Sequence, residues 1–184
     1  MQIKSTDEGY GLIARLLHWG MAAAILAMFA LGYWMRTLDY YSPWYKQAPD
    51  IHKGVGMILM ALLVFRIFWR VLDHRPDDKG QKAIERKLSH LLHTGFYLLL
   101  IILMIAGYLI ATLDGHVIDV FGWIEIPSLH TQKGLEETAG RIHELLAYLL
   151  MGLVALHAAA ALKHHFVDRD KTLLRMLRSG KTNS

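Results

Sequence analysis

The sequence predicts an all-α fold: an integral membrane four-helix bundle with N and C termini cytoplasmic. Three observations carry this expectation. Hydrophobic residues make up 54% of a chain of 184, and they are gathered into runs near 12–35, 51–72, 91–113 and 142–162. Each run is about 20 residues long, the length an α-helix needs to cross a bilayer. The runs lack the polar stripe of a water-facing helix: Met21 to Leu31 reads MAAAILAMFAL and Tyr97 to Ile105 reads YLLLIILMI. Four such segments leave too little polar sequence to wrap them in a soluble core. The third observation is the distribution of charge, which sets the orientation.

Helix 1 is expected at roughly 10–35, helix 2 at 50–72, helix 3 at 88–113 and helix 4 at 140–166, all in one membrane domain covering 1–184. The first run is too long for a signal-peptide core and no small-residue cleavage site follows it, so helix 1 is expected to stay in the mature protein. Of the 20 Lys and Arg residues, Arg36, Lys46, Lys53, Lys133 and Arg141 alone fall in the loops after helices 1 and 3 or the adjoining helix ends. The others cluster at Lys4 and Arg15, from Arg66 through Arg75, Lys79 and Lys82 to Lys87, and from Lys163 to Lys181. The positive-inside rule therefore places both termini and the loop at 73–87 in the cytoplasm. Trp34, Trp44 and Trp123 then lie at the opposite interface, as an aromatic belt does. The excess of +4 is thus a topology signal, and no nucleic-acid partner is implied. Pro43, Pro49 and Pro127 punctuate the outer loops, and Asp50 is placed to cap helix 2.

The chain has no cysteine, which excludes disulfides, cysteine-ligated iron–sulfur clusters and haem attached through thioethers. It has 11 histidines, and histidine inside a membrane is expensive enough to need a reason. His143 and His157 share helix 4. Fourteen residues at about 100° each return to within roughly 40° of one face, after a rise of roughly 21 Å. One helix can therefore offer two ligands to the same side, one near each leaflet. Helix 1 brings His18 to the depth of His157, and helix 2 brings His52 to the depth of His143. His18/His157 and His52/His143 are the expected inner and outer iron-ligating pairs, one haem b between the rings of each. At the inner depth His90 and His93 on helix 3 compete with His18. The alternative for any one of these residues is an interhelical hydrogen bond; the depth-matched constellation is what argues for iron. A bis-histidine site leaves iron no open position, which favours electron transfer over oxygen chemistry.

Lys53 and Arg141 each stand close to an outer ligand, where they can pair with haem propionates, steer an anionic donor, or simply snorkel at the interface. Arg15, Arg66, Lys163 and His164 are the corresponding inner candidates. His74, His116 and His130 fall in loops and are expected to be solvated. Gly54, Gly56 and Gly107 suit close packing around a flat group, or helix against helix.

The segment LHAAAALKHHFVDRDKTLLRM at 156–176 resembles the end of the last helix and the tail of the prokaryotic cytochrome b561 family. LLHWG around His18, IHKGVG around His52 and RIHELLAYLL around His143 are similar to that family as well, in order along nearly the whole chain. The resemblance implies an electron carrier of the bacterial inner (cytoplasmic) membrane with two haem b groups, passing electrons between an unknown periplasmic donor and the quinone pool. It implies His18, His52, His143 and His157 as the axial ligands and His164 as a quinone contact, ubiquinone being the candidate; Lys163 beside it is a further candidate for that contact. One branch of the family oxidises superoxide; GWIEIP in the outer loop and WYKQAPDIHK before helix 2 look more like a sister branch. Two other functions are weighed. A cytochrome b subunit of a larger respiratory dehydrogenase or hydrogenase complex would keep the haems and take electrons from a docked partner. A histidine-lined metal transporter would mix carboxylates with histidines at mid-membrane, whereas Glu144 is the one acidic residue in the apolar run of helix 4.

Overall fold

In the computed structural model, which describes residues 2–74, 76 and 83–178, the apolar runs form four long helices. They are α1 (Leu12–Met35), α2 (Trp44–Leu72), α3 (Ala83–Thr112) and α4 (Glu136–Phe166). A short hairpin, β1 (Ile118–Val120) with β2 (Ile124–Ile126), and a last helix α5 (Thr172–Leu177) complete the chain. Arg75, Lys79, Lys82 and Lys181, which entered the charge argument, lie outside the described residues. All four long helices are long and apolar enough to cross a membrane.

The bundle is inside-out by the standards of a soluble protein. Val64, Phe68 and Val71 on α2, Leu98, Ile102 and Ile105 on α3, and Leu145, Leu149 and Leu156 on α4 are all exposed. Their spacing of three, four or seven residues makes each set one outward face, and a continuous apolar exterior of this kind needs lipid rather than water. Inside, Met21, Leu59, Leu63, Leu99, Leu100 and Leu150 form the buried cluster at mid-height. Helix α1 packs on α2, α2 on α3 and α3 on α4, while α1 and α4 are not closely packed along their lengths. The bundle therefore keeps one open seam.

Helix α2 begins at Trp44 rather than near residue 50, so Asp50 is not its cap but pairs with Lys53 within the helix at 2.7 Å. Proline inside a helix normally removes one bond to the carbonyl four residues back. Here Pro49 removes only the N–H that the Tyr45 carbonyl would have accepted, near the solvent-facing end, and fully buried Ala48 packs the added turns. Helix α3 likewise starts five residues ahead of the expected 88. The hairpin was not anticipated. Three residues, 121–123, connect its strands; Phe121 and Gly122 have φ of 56° and 74°, and the Trp123 amide donates to the Val120 carbonyl at 3.0 Å, the positive-φ pair a type I′ turn requires. A phenylalanine there is unusual; its ring lies against Gly54 of α2, where a Cβ would stand 2.9 Å from Phe121 Cζ.

The segment leading into α1 and the last helix α5 meet at one end of the bundle. Arg15 donates to the Leu177 carbonyl at 3.1 Å, the Trp19 indole to the Met176 carbonyl at 3.1 Å, and the Tyr10 amide to the Arg175 carbonyl at 3.3 Å. The hairpin occupies the other end. Those two ends are called terminal and hairpin below.

Candidate functional site

Each of the two expected pairs comes together, and in nearly the same geometry. His52 on α2 and His143 on α4 have ring centres 6.2 Å apart and planes at 72°. His18 on α1 and His157 on α4 have centres 6.3 Å apart and planes at 72°. Imidazoles sharing a hydrogen bond of about 2.9 Å would stand about 5 Å centre to centre. A transition-metal ion between them, about 2 Å from each nitrogen, with about 1 Å from nitrogen to ring centre, requires about 6 Å. The observed spacing is that of the second case, and the rings do not bond each other.

What holds the rings differs between levels. His143 Nδ1 donates to the Leu103 carbonyl at 2.9 Å, which leaves its Nε2 free. This is the usual fixing of a metal-bound imidazole. His52 Nδ1 is buried with no partner among the described residues, so an interhelical hydrogen bond does not account for its place. At the terminal end an Arg66 N–H meets His18 Nδ1 at 3.0 Å. His93 faces His157 with ring centres 5.7 Å apart, its Nδ1 donating to the Ser89 carbonyl at 2.7 Å. His90 is exposed and turned away. Of the two competitors on α3, one is therefore excluded and the other stands beside the inner pair.

A cavity of about 980 Å³ surrounds the His52/His143 pair in the seam between α1 and α4, lined by Met28, Gly32, Gly56, Gly107, Tyr148 and others. Its size is at the upper end for small-molecule sites. Two glycines make room for the rings: a Cβ on Gly32 would lie 3.2 Å from His52 Cε1, and one on Gly107 would lie 3.0 Å from His143 Cε1. A flat macrocycle between the rings fits this cradle, so the residues present suit haem held without covalent attachment.

The glycines follow a rule that sequence reading could have found. Gly32 comes fourteen residues after His18, Arg66 fourteen after His52, and Gly107 fourteen after His93, the spacing of His143 and His157. Each helix thus presents one residue at each level on one face. The hairpin-end level holds Gly32, His52, Gly107 and His143; the terminal-end level holds His18, Arg66, His93 and His157.

The charged residues singled out from the sequence are placed as follows. Lys53 and Arg141 line the cavity mouth, Lys53 paired with Asp50 and Arg141 with Glu137, each at 2.7 Å. Such exposed pairs are weak and leave both cations available to an anion. Sequence reading missed Arg36, which bridges the mouth from α1 to Glu144 on α4. Arg15 is committed to Leu177, and its buried Nε has no partner among the described residues. Lys163 bonds Asp168 at 2.7 Å, and His164 bonds Asp170 at 2.8 Å. Asp170 Oδ1 also accepts from the Thr172 amide at 2.8 Å, so this group latches α5 to α4. Burial draws the Asp170 carboxyl upward, but the Thr172 amide and hydroxyl, with His164, outweigh it and hold it below the ordinary range. Of the loop histidines, His74 pairs with Asp7 and His116 with Asp114, both exposed, and His130 meets Gln132.

Residues 9–179 match the family described as prokaryotic cytochrome b561. The chain belongs to that family. Within it, the chain is 43% identical to cytochrome b561 homolog 2 of Escherichia coli strain K12, over 100% of this chain and 98% of the relative. It is 35% identical to a Yersinia pestis protein named "Probable superoxide oxidase CybB", over 74% of this chain and 77% of that one. It is 28% identical to cytochrome b562 of Cereibacter sphaeroides, over 94% and 97%. As a member of the cytochrome b561 family the chain is a multi-pass membrane cytochrome b, a haem-binding protein of electron transport.

Proposed function

We propose that this cytochrome carries two haem b groups, one between His52 and His143 and one between His18 and His157, and passes electrons between a donor at the hairpin end and the quinone pool. The observation that carries the proposal is the repeated pair: two sets of imidazoles at 6.2 and 6.3 Å, stacked fourteen residues apart along α4. When bound, haem would supply a one-electron carrier at each level, held by the two histidines of that level.

The protein's own residues do the rest. Leu103 orients His143 through its carbonyl, and the Gly32 and Gly107 hollows admit the rings. Lys53 and Arg141 at the mouth are the counter-ions for propionates at the hairpin end, and Arg15 with Arg66 serves at the terminal end. Arg36, Lys53 and Arg141 stand at the cavity paired with Glu144, Asp50 and Glu137, so an anionic donor would reach these cations by exchanging with exposed carboxylates. The relative named for superoxide oxidation makes superoxide the first donor to try. His164 and Lys163, beside the exit of α4, are the proposed contacts for ubiquinone or another quinone headgroup. The membrane is the bacterial inner membrane, with the termini in the cytoplasm and the hairpin in the periplasm.

The test is a haem count. Purified protein should give two haems per chain by pyridine haemochrome, and His52→Ala and His157→Ala should each lose one. A folded protein that stays colourless, or one that loses nothing on either change, ends the proposal.

A further inference from the structure

The two histidines of the hairpin-end level are held in different ways. His143 is fixed by a hydrogen bond to the Leu103 carbonyl at 2.9 Å, whereas His52 Nδ1 is buried with no partner among the described residues. Packing therefore sets where the His52 ring points. In front, the ring lies in the Gly32 hollow of α1, where a Cβ would stand 3.2 Å from its Cε1. Behind it stands the hairpin. Gly54 follows His52 by two residues, about 200° round the helix, so it lies on the far side of α2. The Phe121 ring enters that side tip first: a Cβ on Gly54 would meet Cζ at 2.9 Å, Cε2 at 3.0 Å and Cε1 at 3.4 Å.

Phe121 makes this contact from a conformation that disfavours phenylalanine. Its φ is 56°, in the left-handed region where a side chain crowds its own backbone. Strain of this kind persists only where the surroundings hold it. Ile118 and Val120 are buried, and β1 packs on α2. The Gly122 amide donates to an Asp119 carboxylate oxygen at 2.8 Å and closes the turn. The Trp123 ring meets the Phe121 ring edge-on, with centres 6.4 Å apart. Phe121 does not itself line the cavity, so it reaches the site only through α2.

We infer that Phe121 is a positioning residue for His52: its ring, seated in the Gly54 hollow, sets the rotation and distance of the α2 segment that presents the imidazole to His143. The strained turn lets a stiff ring press on the helix where glycine would leave a gap. His143 is thus held by a hydrogen bond and His52 by a wedge. The role presupposes the two haems proposed above.

The experiment is electron paramagnetic resonance of the oxidised, purified holoprotein. Each bis-histidine haem gives a low-spin signal whose anisotropy follows the angle between its two ring planes, 72° at both levels here. His52→Ala and His157→Ala assign the two signals. Phe121→Gly should ease the turn, since glycine takes a positive φ freely. It should nonetheless shift or broaden the His52/His143 signal and speed transfer of that haem to apomyoglobin roughly tenfold, while the His18/His157 signal stays. Gly54→Ala, which fills the hollow from the α2 side, should move the same signal. Combined with Phe121→Gly it should undo most of the change, because the added methyl then has room; two merely structural changes would add instead. The wedge is overturned if Phe121→Gly leaves the His52/His143 signal unmoved, if both signals move together, or if the two substitutions add. Protein without haem overturns the two-haem proposal and this inference together; two haems with an unmoved signal overturn only this one.

Discussion

At the scale of single residues, the site depends on what is small as much as on what binds. Gly32 and Gly107 lie against His52 and His143 closely enough that a methyl group would press on the rings. Both positions are helical and carry ordinary backbone angles, so alanine costs nothing in propensity; it acts only through space. Gly107→Ala should therefore weaken the haem proposed between His52 and His143 roughly tenfold or more and leave helical circular dichroism unchanged. Gly20→Ala, where nothing stands within 4 Å of the added carbon, should leave the pyridine haemochrome count unaltered. Equal haem loss in both variants would mean that glycine matters here for the helix and not for the ligand. The sequence displayed the four paired histidines because histidine in an apolar run stands out. It hid their neighbours because glycine in a membrane helix is ordinary.

At the scale of elements, α4 is the ruler of the molecule and α5 its latch. Helix α4 sets the separation of the two levels, and the three other helices deliver one partner or one space to each. The latch consists of Lys163, His164, Asp168 and Asp170, which tie α5 beneath the terminal-end histidines. Because Asp170 is held below its ordinary value of 3.8 in the folded chain, its contribution is complete above that value. It is lost as pH falls through the lower, folded one. Acidification should accordingly release α5 before the bundle melts, read as faster amide exchange at 172–177. In Asp170→Asn this acid step should be absent; an unchanged step would show that another group governs the latch. Elements were legible from the sequence to different degrees. The apolar runs marked the four long helices, but the starts of α2 and α3 were misplaced because polar residues and a proline there are tolerated where a helix end meets water. The hairpin gave no signal: three-residue strands are too short for a period, and the Phe121 turn is stabilised by a contact with Gly54 from another helix.

At the scale of the whole molecule, the seam between α1 and α4 makes the bundle incomplete as a purely protein structure. A cavity of about 980 Å³ at that seam leaves packing contacts unmade, and in lipid it is packing rather than water exclusion that holds helices together. Removing haem should therefore lower the thermal midpoint by roughly 10 °C, and added haem should restore it. A midpoint indifferent to haem would place the cofactor outside the seam. Orientation is testable in whole cells, since the chain has no cysteine of its own. A membrane-impermeant maleimide should label Tyr41→Cys from outside and reach Arg169→Cys only after the membrane is opened; the reverse would invert the topology. The sequence by itself determined the class, the number of spans and the histidines worth testing. Each of these follows from composition and from the fixed rise and turn of a helix. Only the tertiary structure decided that His93 and not His90 stands beside the inner pair, that Arg66 meets His18, and that glycines receive the outer rings. Those facts depend on how one helix is rotated against the next, and rotation is set by packing between residues far apart in the chain, which no local pattern records.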